Sequence, residues 1–323
     1  MADVLEVFDE LTATTQRHRN RTVTDNVTQH NLYLRKMKDR GNVTVYGGSD
    51  IVEPLGLVEN STITNIAGFQ TAATNYDNNV LACRAPWVSK WMSVTCPGDI
   101  LRKNQGADAM VKLVESKVNI AEASAANYMN AELYGDSSID QSVFGLQVWL
   151  TTAGTGIAGG VDASTYSNWA NQQQSLSGSA FSDTTGMTMR TNFNQLWINC
   201  VFNLEVPDVV VATHDIYNTY ELSVQQQMRY PMYADKKGSE TGIETLMYKS
   251  APVWFDANAN YAAAGQKAYF LNTGHNYMFE HPQARWKKEE KRKPVNADGI
   301  VIPFIWMGNH IFKSRRSQGV LHA

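Results

Sequence analysis

No apolar run in this sequence approaches the roughly 18 consecutive residues that a membrane-spanning helix requires, so no such helix is expected. Charge is scarce: Asp, Glu, Lys and Arg make up 18% of the 323 residues, against about 25% in ordinary globular domains. Interface cores lose charge and gain aromatics, so one explanation is a surface covered by neighbouring copies, and ordinary variation is the other. The net charge of -3 excludes a strong basic field over the whole molecule, so any contact with nucleic acid would be local. Cysteine is rare, and Cys83, Cys96 and Cys200 have neither disulfide-framework nor zinc-site spacing, so reduced thiols are expected. Met1–Glu10 lacks the basic, apolar and small-residue order of an export signal. The glycosylation-type tripeptides at Asn20, Asn26, Asn42 and Asn60 therefore read as chance matches.

What is present has a definite order. Val4, Leu5, Phe8 and Leu11 form a short amphipathic stripe, followed by Arg17, His18, Arg19 and Arg21. A polar helix is expected to run to Arg40 and stop at Gly41 in a left-handed conformation. From Gly41 to Cys83 there is no Lys or Arg, and Val, Ile, Thr, Gly and Asn dominate, which predicts a long two-stranded hairpin loop. Val111, Val114, Val118, Ala121, Ala125 and Tyr128 recur at steps of three and four, predicting one striped helix over Ala107–Tyr134. After a Gly-, Ser- and Thr-rich stretch come a helix expected over Asn194–Leu204, a buried strand over Asp208–Ala212 and a helix from Asp215 to about Gln227. Strands are expected at Glu244–Tyr248, Pro252–Phe255, Lys267–Leu271, Tyr277–Trp286 and Ile300–Phe312.

Several residues invite a chemical reading. Gly154, Gly156 and Gly159 spell G-x-G-x-x-G after a strand-like Leu146–Leu150, but a dinucleotide site also needs an apolar-faced helix and an acid ending a buried strand. Residues 162–183 are rich in Ser, Asn, Gln and Thr, so Asp183 follows no buried strand and the glycines read as a loop. His275, Glu280 and His281 lack the helical spacing that aims two imidazoles at one ion. His214 and Asp215 stand near no G-x-S-x-G serine, and Asp215 reads as a helix N-cap. Lys287 to Lys293 mixes both signs and reads as a solvated hairpin. For Trp87, Trp91 and Trp286 core packing is the first explanation and interface anchoring the second.

Taken in order, these elements resemble the major capsid proteins of tailed double-stranded DNA phages, which share the Hong Kong 97-type fold. The resemblance spans about residue 30 to the end. Its strings are HNLYLRKMKDRG at His30–Gly41, IVEPLGLVENSTI at Ile51–Ile63, MVKLVESKVNIAEASAANYMNAELYGD at Met110–Asp136, GLQVWLTTAGTGIAGGVDASTY at Gly145–Tyr166, and IPFIWMGNHIFKSRRSQGVL at Ile302–Leu321. It implies an α+β subunit with an N-terminal arm (1–41), an E-loop (42–80), a P-domain with a long spine helix (81–136), an A-domain (137–265), and a return to the P-domain with the C-terminal segment (266–323).

The resemblance also implies a function. Copies would assemble as pentamers and hexamers of an icosahedral head enclosing double-stranded DNA, in a virion built in the host bacterial cytoplasm, with no enzymatic activity, cofactor, metal or membrane. Scaffolding, portal and decoration proteins are the further candidate partners. In the E-loop, Glu53, Leu55, Val58, Ile63, Ile66 and Phe69 are the expected assembly residues. Arg315 and Arg316 are candidates for inter-subunit ion pairs, with intramolecular pairing equally open, and Arg17, Arg19 and Arg21 for DNA or scaffold contact or a solvated arm. Some relatives weld the shell through an E-loop lysine; none lies between Gly41 and Cys83, so that cross-link is not expected. Others carry an N-terminal scaffolding region of about a hundred residues, whereas only about thirty precede the resemblance, so a separate scaffolding protein, or none, is expected. The alternatives are an encapsulin-type nanocompartment shell and, from a different class, a dinucleotide-binding enzyme on Gly154–Gly159.

Overall fold

A computed structural model describes residues 32–71, 74–103, 113–137, 139, 141–176, 181, 183, 186–225, 246–256, 266–294 and 296–323. Helix α1 (Leu32–Asp39) ends where the sequence predicts. Gly41 takes φ +72°, its N–H bonds the Lys38 carbonyl at 3.0 Å and Asn42 N–H bonds the Met37 carbonyl at 3.0 Å, the paired reverse bonds of a Schellman stop. The chain continues through β1 (Val43–Val45), β2 (Ile51–Gly56), β3 (Val80–Ala85), β4 (Val88–Pro97), α2 (Gly98–Lys103) and α3 (Leu113–Leu133). Then follow α4 (Leu146–Trp149), β5 (Ile157–Ala158), β6 (Val161–Asp162), β7 (Gln172–Ser175), α5 (Met187–Cys200), β8 (Val209–Ala212) and α6 (His214–Gln225). The remaining strands are β9 (Leu246–Tyr248), β10 (Ala251–Phe255), β11 (Lys267–Leu271), β12 (Asn276–Glu280), β13 (Lys287–Lys288), β14 (Gly299–Phe312) and β15 (Gly319–His322). The mixture is α+β, as expected.

These elements fall into two compact units. One takes its described residues from Ser89–Met129 and Glu280–Met307; the other comprises Leu32–Val88, Asn130–Phe279 and Gly308–Ala323. The first is built around Val94, Ile302 and Phe304, with Val118, Ala121 and Trp286 packed against them. Here β13 pairs antiparallel with β14, Lys287 opposite Ile305 and Lys288 opposite Phe304. Trp286 stacks on Trp306 at 6.3 Å between centroids, whose indole N–H donates to Glu280 Oε1 at 2.8 Å. Trp91 instead stands 58% exposed on β4, so the core explanation fails for it.

The second unit holds a six-stranded sheet in the order β7-β15-β11-β8-β10-β9. Strand β8 runs parallel to β10 and antiparallel to β11, and all four of its residues are buried, which is why a continuous Val-Val-Val-Ala run suits it. Met189, Phe193, Leu196, Trp197 and Cys200 on α5, with Ile216 and Tyr220 on α6, pack with Val210, Val253 and Phe270 of the sheet. Phe193 stacks on Tyr220 at 4.7 Å. Helix α5 lies close to β15 because Gly319 has no side chain: a Cβ there would sit 2.8 Å from Leu196 Cδ1. The sheet also crosses the boundary expected at residue 265, since β11 and β15 join β8 and β10 in one ladder.

Other expectations shift for local reasons. The long helix is described over Leu113–Leu133, about 30 Å at 1.5 Å per residue, and Ala107–Lys112 lie outside the described residues. Its buried stripe passes from Ala125 to Met129 and Leu133, while Tyr128 is 51% exposed under Lys90 Nζ at 5.3 Å. Helix α5 begins at Met187, not Asn194, because Asp183 Oδ2 accepts from Thr188 N–H at 2.9 Å. That bond satisfies an otherwise orphan amide of the first turn. Asp215 lies inside the first turn of α6 and does not cap it. Leu146–Leu150 reads as a strand, yet α4 is a single helical turn that buries Leu146 and Trp149 three residues apart.

Candidate assembly surface

The segment without lysine or arginine forms the expected hairpin. Strands β2 and β3 pair antiparallel from Ile51 opposite Ala85 to Gly56 opposite Val80. Alternation in a strand puts successive side chains on opposite faces, and here one face is buried: Ile51, Leu55, Cys83 and Ala85 are all 5% exposed or less. The root therefore rests on its own subunit. Arg84 N–H donates to Gly159 O at 2.8 Å, Asn168 Nδ2 donates to Leu57 O at 2.9 Å, and Lys313 Nζ meets Glu53 Oε1 at 2.7 Å.

Beyond Gly56 the hairpin changes character. Ser61 donates through its backbone N–H and its hydroxyl to Asp77 Oδ2, both at 2.7 Å, which closes the loop across its width. The same two bonds hold the Asp77 carboxyl below its ordinary pKa, because they favour the charged form. Asn60 Oδ1 accepts from Thr62 N–H at 2.8 Å. Past these polar clasps the large apolar side chains face solvent: Ile63 is 86% exposed, Ile66 56%, Phe69 110% and Tyr76 91%. Single exposed apolar residues are ordinary; four on one loop make this tip the candidate surface.

The expected assembly residues thus divide. Val58, Ile63, Ile66 and Phe69 are open to a partner. Leu55 is buried under its own hairpin root, and Glu53 is neutralised by Lys313, so both are already engaged within the subunit. Within the hairpin the root residues Ile51, Leu55 and Leu57 are buried, and the large apolar residues of the tip are not.

Arg315 departs furthest from expectation. It is fully buried, donating from Nε to Trp149 O at 2.6 Å and from Nη2 to Asn171 Oδ1 at 3.0 Å, with its guanidinium 5.6 Å from the Trp169 ring centroid. These intramolecular partners are neutral, and burial lowers the Arg315 pKa to about 10. Arg316 is exposed and tied to its own chain, donating to Asn168 Oδ1 at 2.9 Å and lying 4.6 Å from the centroid of Phe202. Arg17, Arg19 and Arg21 lie outside the described residues.

The alternative chemistries find no geometry. Gly154, Gly156 and Gly159 all have positive φ but follow the helical turn α4 and lead into the two-residue strands β5 and β6, with no helix for a pyrophosphate. His275 pairs with Glu205, Glu280 accepts from Arg285 at 2.9 Å, and His281 accepts from Gln283 N–H at 3.3 Å. Among the described residues no three ligating side chains cluster as a metal site would require, and no helix is long and apolar enough to cross a membrane. Cys83, Cys96 and Cys200 are buried and form no disulfide, and burial pushes the Cys83 thiol up to about 12.

Sequence comparison finds no matching family model and no matching curated protein. Comparison of folds does. The cyanophage A-1(L) capsid asymmetric unit matches with a TM-score of 0.60 at 13% identity, covering 95% of this chain and 97% of that one. The holo-SrpI encapsulin complex from Synechococcus elongatus PCC 7942 matches at 0.60 and 10%, covering 93% and 91%. The capsid of a native GTA particle matches at 0.59 and 10%, covering 95% and 94%. The fold is the Hong Kong 97 type. Coverage above nine-tenths on both sides in all three comparisons means that the Hong Kong 97-type fold accounts for the chain as a whole.

Proposed function

We propose that this chain is the major capsid protein of a tailed double-stranded DNA phage, assembling as pentamers and hexamers into an icosahedral shell. The observation that carries the reading is the hairpin tip, whose four large apolar side chains have no core of their own. Burying each against a neighbour would contribute roughly 1.5–3 kcal/mol before the ordering cost. A head-to-tail contact of this kind closes into rings, and repetition makes modest contacts strong. In this reading Ile51–Ala85 with its loop is the E-loop, the unit holding most of α3 is the peripheral domain, and the six-stranded sheet forms the axial domain. The protein acts by assembly and not by catalysis, in a virion put together in the host cytoplasm, with scaffolding, portal and decoration proteins as further partners. Arg17, Arg19 and Arg21 stay candidates for DNA or scaffold contact.

The encapsulin match favours a second reading within the same architecture, a nanocompartment around protein cargo. Negative-stain microscopy of the purified full chain tests both. Closed shells of uniform diameter are expected, and nuclease-protected double-stranded DNA in particles recovered from the native source assigns the phage head. Co-purifying protein cargo without nucleic acid assigns the compartment. A protein that stays monomeric at every concentration overturns the shell reading.

A further inference from the structure

Arg315 is a buried cation whose printed partners leave part of it unanswered. The residue is 0% exposed, its Nε and Nη2 are spent on the neutral oxygens Trp149 O and Asn171 Oδ1, and Nη1 is buried with no acceptor. A guanidinium carries donors on all three nitrogens and accepts nothing, so the open one can be satisfied only by an acceptor or an anion. A buried donor on a charged group is among the costlier ones to leave unmade.

The surrounding side chains do not supply it. Asn171 Oδ1 already accepts from Thr151 N–H at 3.1 Å and Thr151 Oγ1 at 3.3 Å besides Arg315, and Asn171 Nδ2 donates to Thr151 O and Gln172 O, which fixes the amide's orientation. Burial pushes the Cys83 thiol up to about 12 against the pull of the Arg315 charge, so at neutral pH it is no counter-charge. Glu53, opposite Cys83 in the hairpin, is taken by Lys313 at 2.7 Å. A second donor stands open beside Arg315: Trp149 Nε1 is buried and has no acceptor either. Both residues lie against Trp169, the Trp149 ring edge-on at 6.4 Å and the guanidinium 5.6 Å from the ring centroid, and Phe312 closes on Trp149 at 5.6 Å. The Trp169 ring offsets part of the charge and leaves the group cationic.

We propose that Arg315 Nη1 and the Trp149 indole N–H bind a small monovalent anion of the halide class, chloride being the abundant one, inside the subunit. A water molecule would satisfy a hydrogen bond and leave the charge uncompensated; an anion answers both. An oxyanion brings several acceptor oxygens to a place with two open donors, so a single-atom anion suits it better. All the residues involved belong to one compact unit, so the site holds in a monomer as in an assembly. It lies where α4, Asn171 and hairpin strand β3 meet, and an anion there ties the hairpin root to the body that carries it. A ligand bound by the folded chain alone stabilises it by mass action, so stability rises with chloride and then levels off.

The test melts the full-length chain in sodium gluconate, whose anion is too large to enter, and replaces gluconate stepwise by chloride at constant ionic strength. Wild type is expected to gain about 2–4 °C in a saturating curve. Trp149→Phe, which keeps a ring and loses the indole N–H, is expected to gain half of that or less, and Arg315→Lys, which keeps the charge and loses Nη1, to gain nothing. Equal melting temperatures in the two salts overturn the proposal. So does a rise that never saturates and is the same in both variants, because that is a general salt effect on the surface. If Arg315→Lys does not fold, Trp149→Phe and a second measurement decide. Crystals of the wild-type chain grown in bromide are expected to give an anomalous peak at the bromine edge within hydrogen-bond reach of Arg315 Nη1. Water density there without an anomalous signal overturns the proposal.

Discussion

Cys83 and Gly159 are fitted so closely that a Cβ added to Gly159 would collide with the Cys83 sulfur. Gly159 also has φ +61°, and its carbonyl accepts from Arg84 N–H, so one glycine fixes the root of the hairpin to its own subunit. The literal dinucleotide motif thus owes this glycine to close backbone approach and a left-handed turn.

Gly159→Ala is expected to cost about 2–4 kcal/mol, from overpacking and backbone strain together. Adding Cys83→Ala removes the collision but not the strain, so the pair should recover part of the loss. Denaturant unfolding of the two singles and the double measures this; strict additivity would show that the two residues do not interact.

Arg315 and Arg316 are adjacent yet should behave oppositely. Arg315→Lys loses the two-point grip on Trp149 and Asn171 in a buried setting and is expected to cost about 2–3 kcal/mol. Arg316→Ala, exposed, is expected to cost less than about 1 kcal/mol. Equal losses in thermal unfolding would contradict the placement of Arg315.

His310 gives a pH dependence. It is fully buried between the Tyr33 hydroxyl at 3.2 Å and the Phe144 carbonyl at 3.0 Å, and desolvation lowers its pKa to about 4. The unfolded chain, titrating near 6.5, binds the proton first, so stability is complete above about pH 6.5 and falls as pH drops through 4. The loss is on the order of 3 kcal/mol. His310→Gln should be less stable at pH 7 and show a shallower decline between pH 6.5 and 4 in denaturant titrations; an unchanged slope would contradict the buried neutral imidazole.

Much of this was legible in the chain because the deciding signals are local. Gly41 stops α1 through its left-handed conformation, and the Val209–Ala212 run suits a strand buried on both faces. The misreadings have a common cause in contacts distant along the chain. Val148 and Trp149 favour a strand by propensity, yet α4 is helical and Trp149 packs against Phe312 at 5.6 Å. Arg315 reads as a surface charge until Asn171 and Trp169 close over it, and Leu55 reads as part of an exposed arm until β3 and its own subunit cover it. The hairpin was visible as an absence, a stretch from Gly41 to Cys83 with no lysine or arginine. Lys287 to Lys293 reads from sequence as a solvated hairpin because its signs are mixed, and the structure pairs Arg292 with Glu289 there.

The central claim is that the hairpin tip is dispensable for folding and required for assembly. A full-length variant with Ile63, Ile66, Phe69 and Tyr76 all replaced by serine leaves the root strands β2 and β3 intact. Sedimentation velocity beside a thermal melt measures it directly. The account predicts a melting temperature within about 2 °C of wild type, as expected for exposed positions, and a population of small species with no closed shells. Normal shells formed by this variant at the wild-type concentration would contradict it.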